Sequence, residues 1–221
     1  ADVDAQPLVS DVSTALTLSA ALLLNRLERA LTHAAAVAPP GGPAWLLVGD
    51  THSGKTTTTV NLMTAGWEYL SDDHVILSAV PGDARGGVIV EGWPRTFHLD
   101  EGWYVGEPGG ARIDADPRSL APTQWRSRAP LGGLLFPTVV GDAPTAIVPL
   151  SAADALALAL RQSPWLAADR HAAPSVLALL ARSARLPAYR LLLGVDSFRD
   201  PERLVRCLEP ALVQPPRFQL A

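Results

Sequence analysis

Trp45-Leu46-Leu47-Val48-Gly49-Asp50-Thr51-His52-Ser53-Gly54-Lys55-Thr56-Thr57 is the stretch from which the fold can be read. Residues 44–48 are apolar without interruption and read as a buried strand. Gly49, Gly54, Lys55 and Thr56 follow at the spacing G-x-x-x-x-G-K-S/T of a phosphate loop. Residues 57–65 can start a helix, and Gly66 is its natural stop. Strand, glycine loop and helix start are the context this spacing requires. Glycine at 49 and 54 permits backbone geometries that turn successive N–H groups inward onto phosphate oxygens. The helix start adds free N–H groups and a positive dipole end. On this reading residues 49–57 (Gly49, Asp50, Thr51, His52, Ser53, Gly54, Lys55, Thr56 and Thr57) hold ATP. Lys55 reaches the β and γ phosphates, and the Thr56 hydroxyl holds Mg²⁺. Lys55 is the only lysine in the chain, where every other basic side chain outside histidine is arginine. A slim ammonium is thus kept at the one place a planar guanidinium would not fit.

Working outward, 221 residues are enough for one domain with a full core, so residues 1–221 are expected to form a single domain, with 1–29 a peripheral segment. An apolar fraction of 48% against 18% charged residues excludes a disordered chain. A net charge of −4 gives no electrostatic reason to expect nucleic acid or an anionic membrane as partner. The one cysteine, Cys207, excludes an internal disulfide and a cysteine-rich zinc site, and its helical setting reads as a small apolar group. No run is long enough to span a bilayer and no leader pattern is present, which points to the cytoplasm. The chain starts Ala1-Asp2 without methionine, leaving room for a trimmed upstream segment.

Residues 11–29 admit either a helix or a strand. Residues 30–38 and 44–48 flank Pro39-Pro40-Gly41-Gly42-Pro43 and read as adjacent strands. Beyond the loop, 67–70, 75–80 and 87–90 read as strands. The stretch 100–130 reads as a long irregular segment of the kind used for lids. Residues 131–140 and 146–149 read as a strand pair around Gly141-Asp142. Helices are expected at 152–160, 173–185 and 201–212, with a strand at 186–194 between the second and third. The fold class is α/β, a mixed sheet with flanking helices.

A phosphate loop gives nucleotide binding but not a reaction. Asp72-Asp73, at the end of a predicted strand, supplies the next signal, because strand ends face the ligand crevice in open sheets. Of two adjacent carboxylates, one can meet Mg²⁺ while the other takes a proton from an attacking hydroxyl. His33, on the strand before the loop strand, reads either as a core histidine or as a group that tunes a catalytic carboxylate. His74 can do the same, and His52 inside the loop is expected to be exposed. Arg95, Arg126 and Arg128, in the irregular middle region, are candidates for charge on the migrating phosphoryl group. Trp93, Trp103 and Trp125 share that region, with core packing the plainer reading.

A histidine on a strand, a turn, Leu46-Leu47-Val48-Gly49-Asp50-x-x-Ser53-Gly54-Lys55-Thr56, a short helix closed by Gly66, and Leu70-Ser71-Asp72-Asp73 together resemble the C-terminal catalytic domain of bacterial HPr kinase/phosphorylase and its smaller relatives. Residues 129–136, 148–151 and 186–191 resemble the smaller group as well. The resemblance implies a strongly twisted mixed sheet like the nucleotide-binding part of phosphoenolpyruvate carboxykinase, with ATP and Mg²⁺ at residues 49–57. It implies Asp72 as the base that activates a hydroxyl, Asp73 as its metal-side neighbour, and His33 as the residue that modulates the pair. The family's glycine-and-arginine signature after the acidic pair is not recognisable; Glu91 and Arg95 stand in its place. The expected activity is transfer of the γ-phosphate of ATP to a hydroxyl, serine foremost, of a peptide or small protein, by a chain able to form a homo-oligomer. A small-molecule hydroxyl kinase and a nucleotide-binding regulator without transfer are the alternatives.

Overall fold

A computed structural model of the chain describes residues 5–83, 86–93, 96–100, 112–120 and 124–213. Helix α1 (Ala5–Arg26) leads into β1 (Ala30–Ala38), and the Pro/Gly turn returns the chain as β2 (Ala44–Val48). The two strands are antiparallel neighbours, with Ala34 opposite Val48 and Val37 opposite Trp45. Every β2 residue is buried, as an uninterrupted apolar run requires. Then come α2 (Lys55–Thr64), β3 (Glu68–Ser71), β4 (His74–Ala79), β5 (Val88–Trp93), β6 (Phe97–Asp100), β7 (Arg112–Ala115) and α3 (Pro117–Leu120). The rest is β8 (Arg128–Gly141), β9 (Ala146–Pro149), α4 (Ala152–Arg161), a 3₁₀ turn (Pro164–Ala168), α5 (Ala173–Ser183), β10 (Ala188–Gly194), α6 (Val195–Arg199) and α7 (Pro201–Val213).

The expected mixed sheet is present, in the order β2-β1-β4-β5-β8-β10-β9, with β3 also on β1. β8 is its long spine. Residues 128–130 pair with β5, 131–135 run parallel to β2, and from 134 onward the strand also pairs in parallel with β10. The β2–β8 pairing closes β2-β1-β4-β5-β8 into a ring. One face of the sheet packs Ala155, Val176, Leu179 and Leu180 of α4 and α5. The other packs Leu62 of α2 and Leu204 and Leu208 of α7. At about 25 cal/mol per Å² of apolar surface, each fully buried leucine contributes about 2 kcal/mol to holding these layers together.

One open expectation is resolved and two are corrected. The start of the chain, open between helix and strand, is the helix α1. Residues 100–130 are not wholly irregular: β7, α3 and the start of β8 lie there, and β7 pairs with β6. β8 and β9 do not pair with each other, because β10 lies between them, parallel to β8 and antiparallel to β9. β10 is apolar apart from Arg190 and mostly buried, so it takes the inner position, while the half-exposed β9 takes the edge. Among the described residues no helix is long and apolar enough to cross a membrane.

Candidate functional site

The loop between β2 and α2 owes its shape to two residues in left-handed backbone conformations, His52 at φ 64° and Gly54 at φ 98°. Histidine is among the side chains that tolerate this region. Gly54 has a second constraint, since a Cβ there would stand 2.6 Å from Leu193 Cδ1. A Cβ on Gly49 would stand 2.7 Å from Ser53 Oγ. Both glycines are thus fixed by space as well as by the turn. Gly54 is the N-cap of α2 and offers no side-chain acceptor, so the first N–H groups of the helix are left for a ligand or water. Ser53 Oγ is buried with no hydrogen-bond partner among the described residues. Lys55 folds back over the loop, its Nζ donating to the carbonyls of Gly49 at 2.7 Å and Asp50 at 2.9 Å. Burial draws its ammonium below the ordinary value, against the pull of Asp73, Asp72 and Asp50.

The acidic pair sits in a break. β3 and β4 both lie antiparallel to β1; past a one-residue bulge in β3, Ser71 opposite Ala36 and His74 opposite His33 share a register, so the two are halves of a single strand interrupted at Asp72 and Asp73. Ser71, fully buried, holds the break: its one hydroxyl proton lies between the His74 carbonyl at 2.5 Å and the Trp93 carbonyl of β5 at 2.8 Å. Gly92 lets β5 come this close, because a Cβ there would lie 2.1 Å from the Leu70 carbonyl oxygen. An unpaired step in a ladder frees two side chains to leave the alternating pattern. They part company. Asp72, 7% exposed, accepts from the Thr56 hydroxyl at 3.1 Å. Asp73 lies between two imidazoles, Oδ1 3.1 Å from His33 Nε2 and Oδ2 2.7 Å from His74 Nδ1. Burial alone would raise the Asp73 carboxyl. Hydrogen bonds from His33 and His74, and their charges, outweigh it and hold the group far below the usual carboxylate range.

The loop and the break are joined by residues the sequence did not single out. Gln162, the C-cap of α4, donates from Nε2 to Asp50 Oδ1 at 2.6 Å, and its Oε1 faces His33 Nδ1 at 3.2 Å. Arg161 stands 3.7 Å from the other Asp50 oxygen. Beside the loop lies a cavity of about 350 Å³ walled by residues 49–53, residues 136–139 of β8, Leu158, Arg161, Gln162 and Arg190. A polar Arg-Gln pair closing a helix that is apolar from Ala155 to Leu160 was the available signal for two of these.

The other candidates lie apart from this cluster. Glu91 is on β5 and ion-paired with Arg29. Arg126 donates from Nη1 to the Gly42 carbonyl at 2.6 Å and to Glu68 at 3.1 Å, and from Nε to the Arg128 carbonyl at 3.1 Å, which ties the turn before β2 to β3 and β8. The Arg128 side chain is exposed at the start of β8. Arg95 and Trp103 lie outside the described residues. Trp125 packs on Tyr69, ring centroids 5.1 Å apart. Cys207 is half-buried, and burial together with the charge of Asp196 pushes its thiol up.

The donors fit the expected cation and nucleotide. Thr56 Oγ1 and an Asp72 carboxylate side by side are the hard oxygens Mg²⁺ takes alongside phosphate oxygens and water. The uncapped helix start and the orphaned Ser53 hydroxyl match an anion's need for donors.

Compared with known proteins, the chain matches no protein-family model and no curated protein. Among solved structures it is similar to the Hpr(Ser) kinase/phosphatase of Coxiella burnetii, at 13% identity across 80% of this chain and 93% of that one, with a TM-score of 0.42.

Proposed function

We propose that the chain is an ATP- and Mg²⁺-dependent phosphotransferase that carries the γ-phosphate to a hydroxyl, serine of a peptide or small protein foremost. The observation that carries this reading is the contact between Thr56, at the head of α2, and Asp72, in the strand break, with Asp73 and its two histidines next in the chain. On this reading the contact would set the nucleotide loop beside the group that handles the proton.

Residues 49–57 would bind the phosphates through backbone N–H groups, with Lys55 leaving the loop carbonyls for the β and γ oxygens. Mg²⁺, when bound, neutralises charge that builds on the phosphates. Thr56 and Asp72 would hold it. The resemblance gave Asp72 as the base and Asp73 as the metal-side neighbour. The 3.1 Å contact of Asp72 with Thr56 supports the exchanged assignment. Asp73 would then orient the acceptor hydroxyl and take its proton as the new O–P bond forms and the bond to ADP breaks. His33 and His74 would keep Asp73 ionised and aimed. The cavity flanked by Arg161 and Arg190 supports the second reading, in which the acceptor is a small anionic molecule.

The test is calorimetry with Mg²⁺-ATP on wild type and Lys55→Ala, followed by transfer of labelled γ-phosphate to a serine-peptide library and a panel of small alcohols. Binding that disappears in Lys55→Ala, with label on a peptide, supports the proposal. Label on a small alcohol alone selects the second reading. No binding by wild type sinks both, and binding without transfer to any acceptor leaves the regulator.

A further inference from the structure

One buried side chain at the site is used by no step above. Gln162 is 7% exposed and held from three sides. Its Nε2 donates to Asp50 Oδ1 at 2.6 Å, its Oε1 stands 3.2 Å from His33 Nδ1, and its backbone carbonyl accepts the His33 backbone N–H at 3.1 Å. The chemistry of these partners leaves one consistent arrangement. An aspartate oxygen only accepts, so the amide must present its NH₂ to Asp50. That turns the amide oxygen toward His33, and an oxygen there demands a proton on Nδ1. With Nδ1 committed, the ring cannot turn over, and Nε2 is the nitrogen that faces Asp73, at 3.1 Å. Asp50 is part of the loop: its own carbonyl takes the Lys55 ammonium at 2.9 Å.

We propose that Gln162 is a positioning residue that couples the loop to the acidic pair: Asp50 fixes the orientation of the Gln162 amide, the amide fixes the ring of His33, and the ring aims Asp73. A change in the loop at Asp50, such as the departure of Lys55 from its carbonyl toward a bound phosphate, is thereby transmitted to the carboxylate that meets the acceptor. The effect on rate rests on the kinase reading above; the coupling itself does not.

The experiment has two arms. The first uses the free protein and the ring nitrogen NMR signals of His33, assigned with His33→Gln. Asparagine at position 50 both accepts and donates, so it no longer forces the amide. Asp50→Asn is expected to move the His33 signals in the wild-type background and to leave them in place in Gln162→Met. Movement of equal size in both backgrounds, or in neither, overturns the proposal. Should the methionine variant fail to fold, Gln162→Glu reads the same line. It lacks a donor for Asp50, so the His33 signals move, and Asp50→Asn added to it supplies the donor and moves them back. Signals that stay put in both overturn the proposal.

The second arm measures single-turnover phosphotransfer and Mg²⁺-ATP affinity for Gln162→Met. Affinity within about threefold of wild type and a rate lower by about tenfold or more are expected, the scale at which outer-sphere orienting partners act. An unchanged rate overturns the catalytic role of the coupling. If wild type binds no Mg²⁺-ATP, the kinase reading fails, and the ring signals of the first arm still decide the coupling.

Discussion

Asp73 and Asp196 are both held below the ordinary carboxylate range, by different means. Asp196, at the start of α6, takes its first hydrogen bond from the Thr145 hydroxyl, with the Thr145 and Ser197 backbone N–H groups and Arg203 around it. These donors are fixed by the chain itself and knit the β8–β9 connection to the end of β10, where the Gly194 N–H in turn donates to Thr145 Oγ1 at 3.0 Å. Asp73 is held by two imidazoles from two strands, at the edge of a strand break. A hydroxyl, backbone N–H groups and a guanidinium, none of which titrates near neutral pH, make a carboxylate into a fastening. Imidazole donors, which gain and lose protons near neutral pH, make it adjustable, and such sites are where chemistry is placed.

The sharpest way to break this comparison is to neutralise the carboxylates of the break. Asp73→Asn should keep Mg²⁺-ATP binding while transfer falls by about 10²-fold or more, the scale of a lost general base. Asp72→Asn should instead raise the Mg²⁺ concentration needed for half-maximal rate. A Mg²⁺ titration of both variants checks the assignment. Rate loss in Asp72→Asn at an unchanged Mg²⁺ requirement would return the base to Asp72.

At the Asp196 corner the largest effect should be on stability. A Cβ at Gly194 would lie 2.0 Å from the Ala143 carbonyl oxygen and 2.7 Å from Asp196 Oδ1. Neither the backbone nor the fastened carboxylate can give way cheaply. Gly194→Ala should therefore cost about 2 kcal/mol in urea unfolding, typical of overpacking against rigid neighbours. A variant as stable as wild type would show that this corner is looser than its hydrogen bonds imply.

Thr145→Val tests the same corner through pH. The folded-state pKa of Asp196 lies below its unfolded value of about 3.9, so its contribution is fully present above that value and is lost as pH falls through the folded pKa. Removing the Thr145 hydroxyl takes away the leading cause of the depression. Below about pH 4, wild type should lose stability with falling pH over a larger span than Thr145→Val, as followed by acid unfolding with circular dichroism. Parallel acid limbs in the two proteins would remove Asp196 from the account.

The same contrast explains what the sequence disclosed. The loop, β1 and β2 were legible because each signal is local: a fixed glycine-lysine spacing, and apolar runs cut by Pro39-Pro40-Gly41-Gly42-Pro43. The histidine beside the acidic pair came through the family resemblance. That β3 and β4 are one interrupted strand was not legible, since Ser71 and His74 reveal a shared register only against β1. The Asp50–Gln162–His33 line was hidden for the same reason. Its two side-chain bonds span 112 and 129 residues, and no local pattern carries such distances. The β8–β9 pairing failed likewise, because the strand that separates them comes some forty residues later in the chain, as a parallel partner of β8 rather than a hairpin neighbour.

Arg126 offers the smallest and most discriminating test. As a loop arginine it was a candidate for contact with the migrating phosphoryl group, yet its guanidinium spans the Gly42 carbonyl, Glu68 and the Arg128 carbonyl. By the logic of the two aspartates, a cation engaged with two carbonyls is a fastening. The ion pair with Glu68 is partly exposed, both side chains at 27%, so screening leaves it worth little, and the carbonyl contacts carry most of the effect. Arg126→Met keeps much of the apolar stem and removes those bonds, so it should lower stability by about 1 kcal/mol. The transfer rate and the Mg²⁺-ATP affinity should stay within about twofold of wild type, a difference worth about 0.4 kcal/mol. Denaturant unfolding and single-turnover kinetics on the same preparation separate the two effects. A rate that falls tenfold while stability holds would move Arg126 from the frame of the fold into the site.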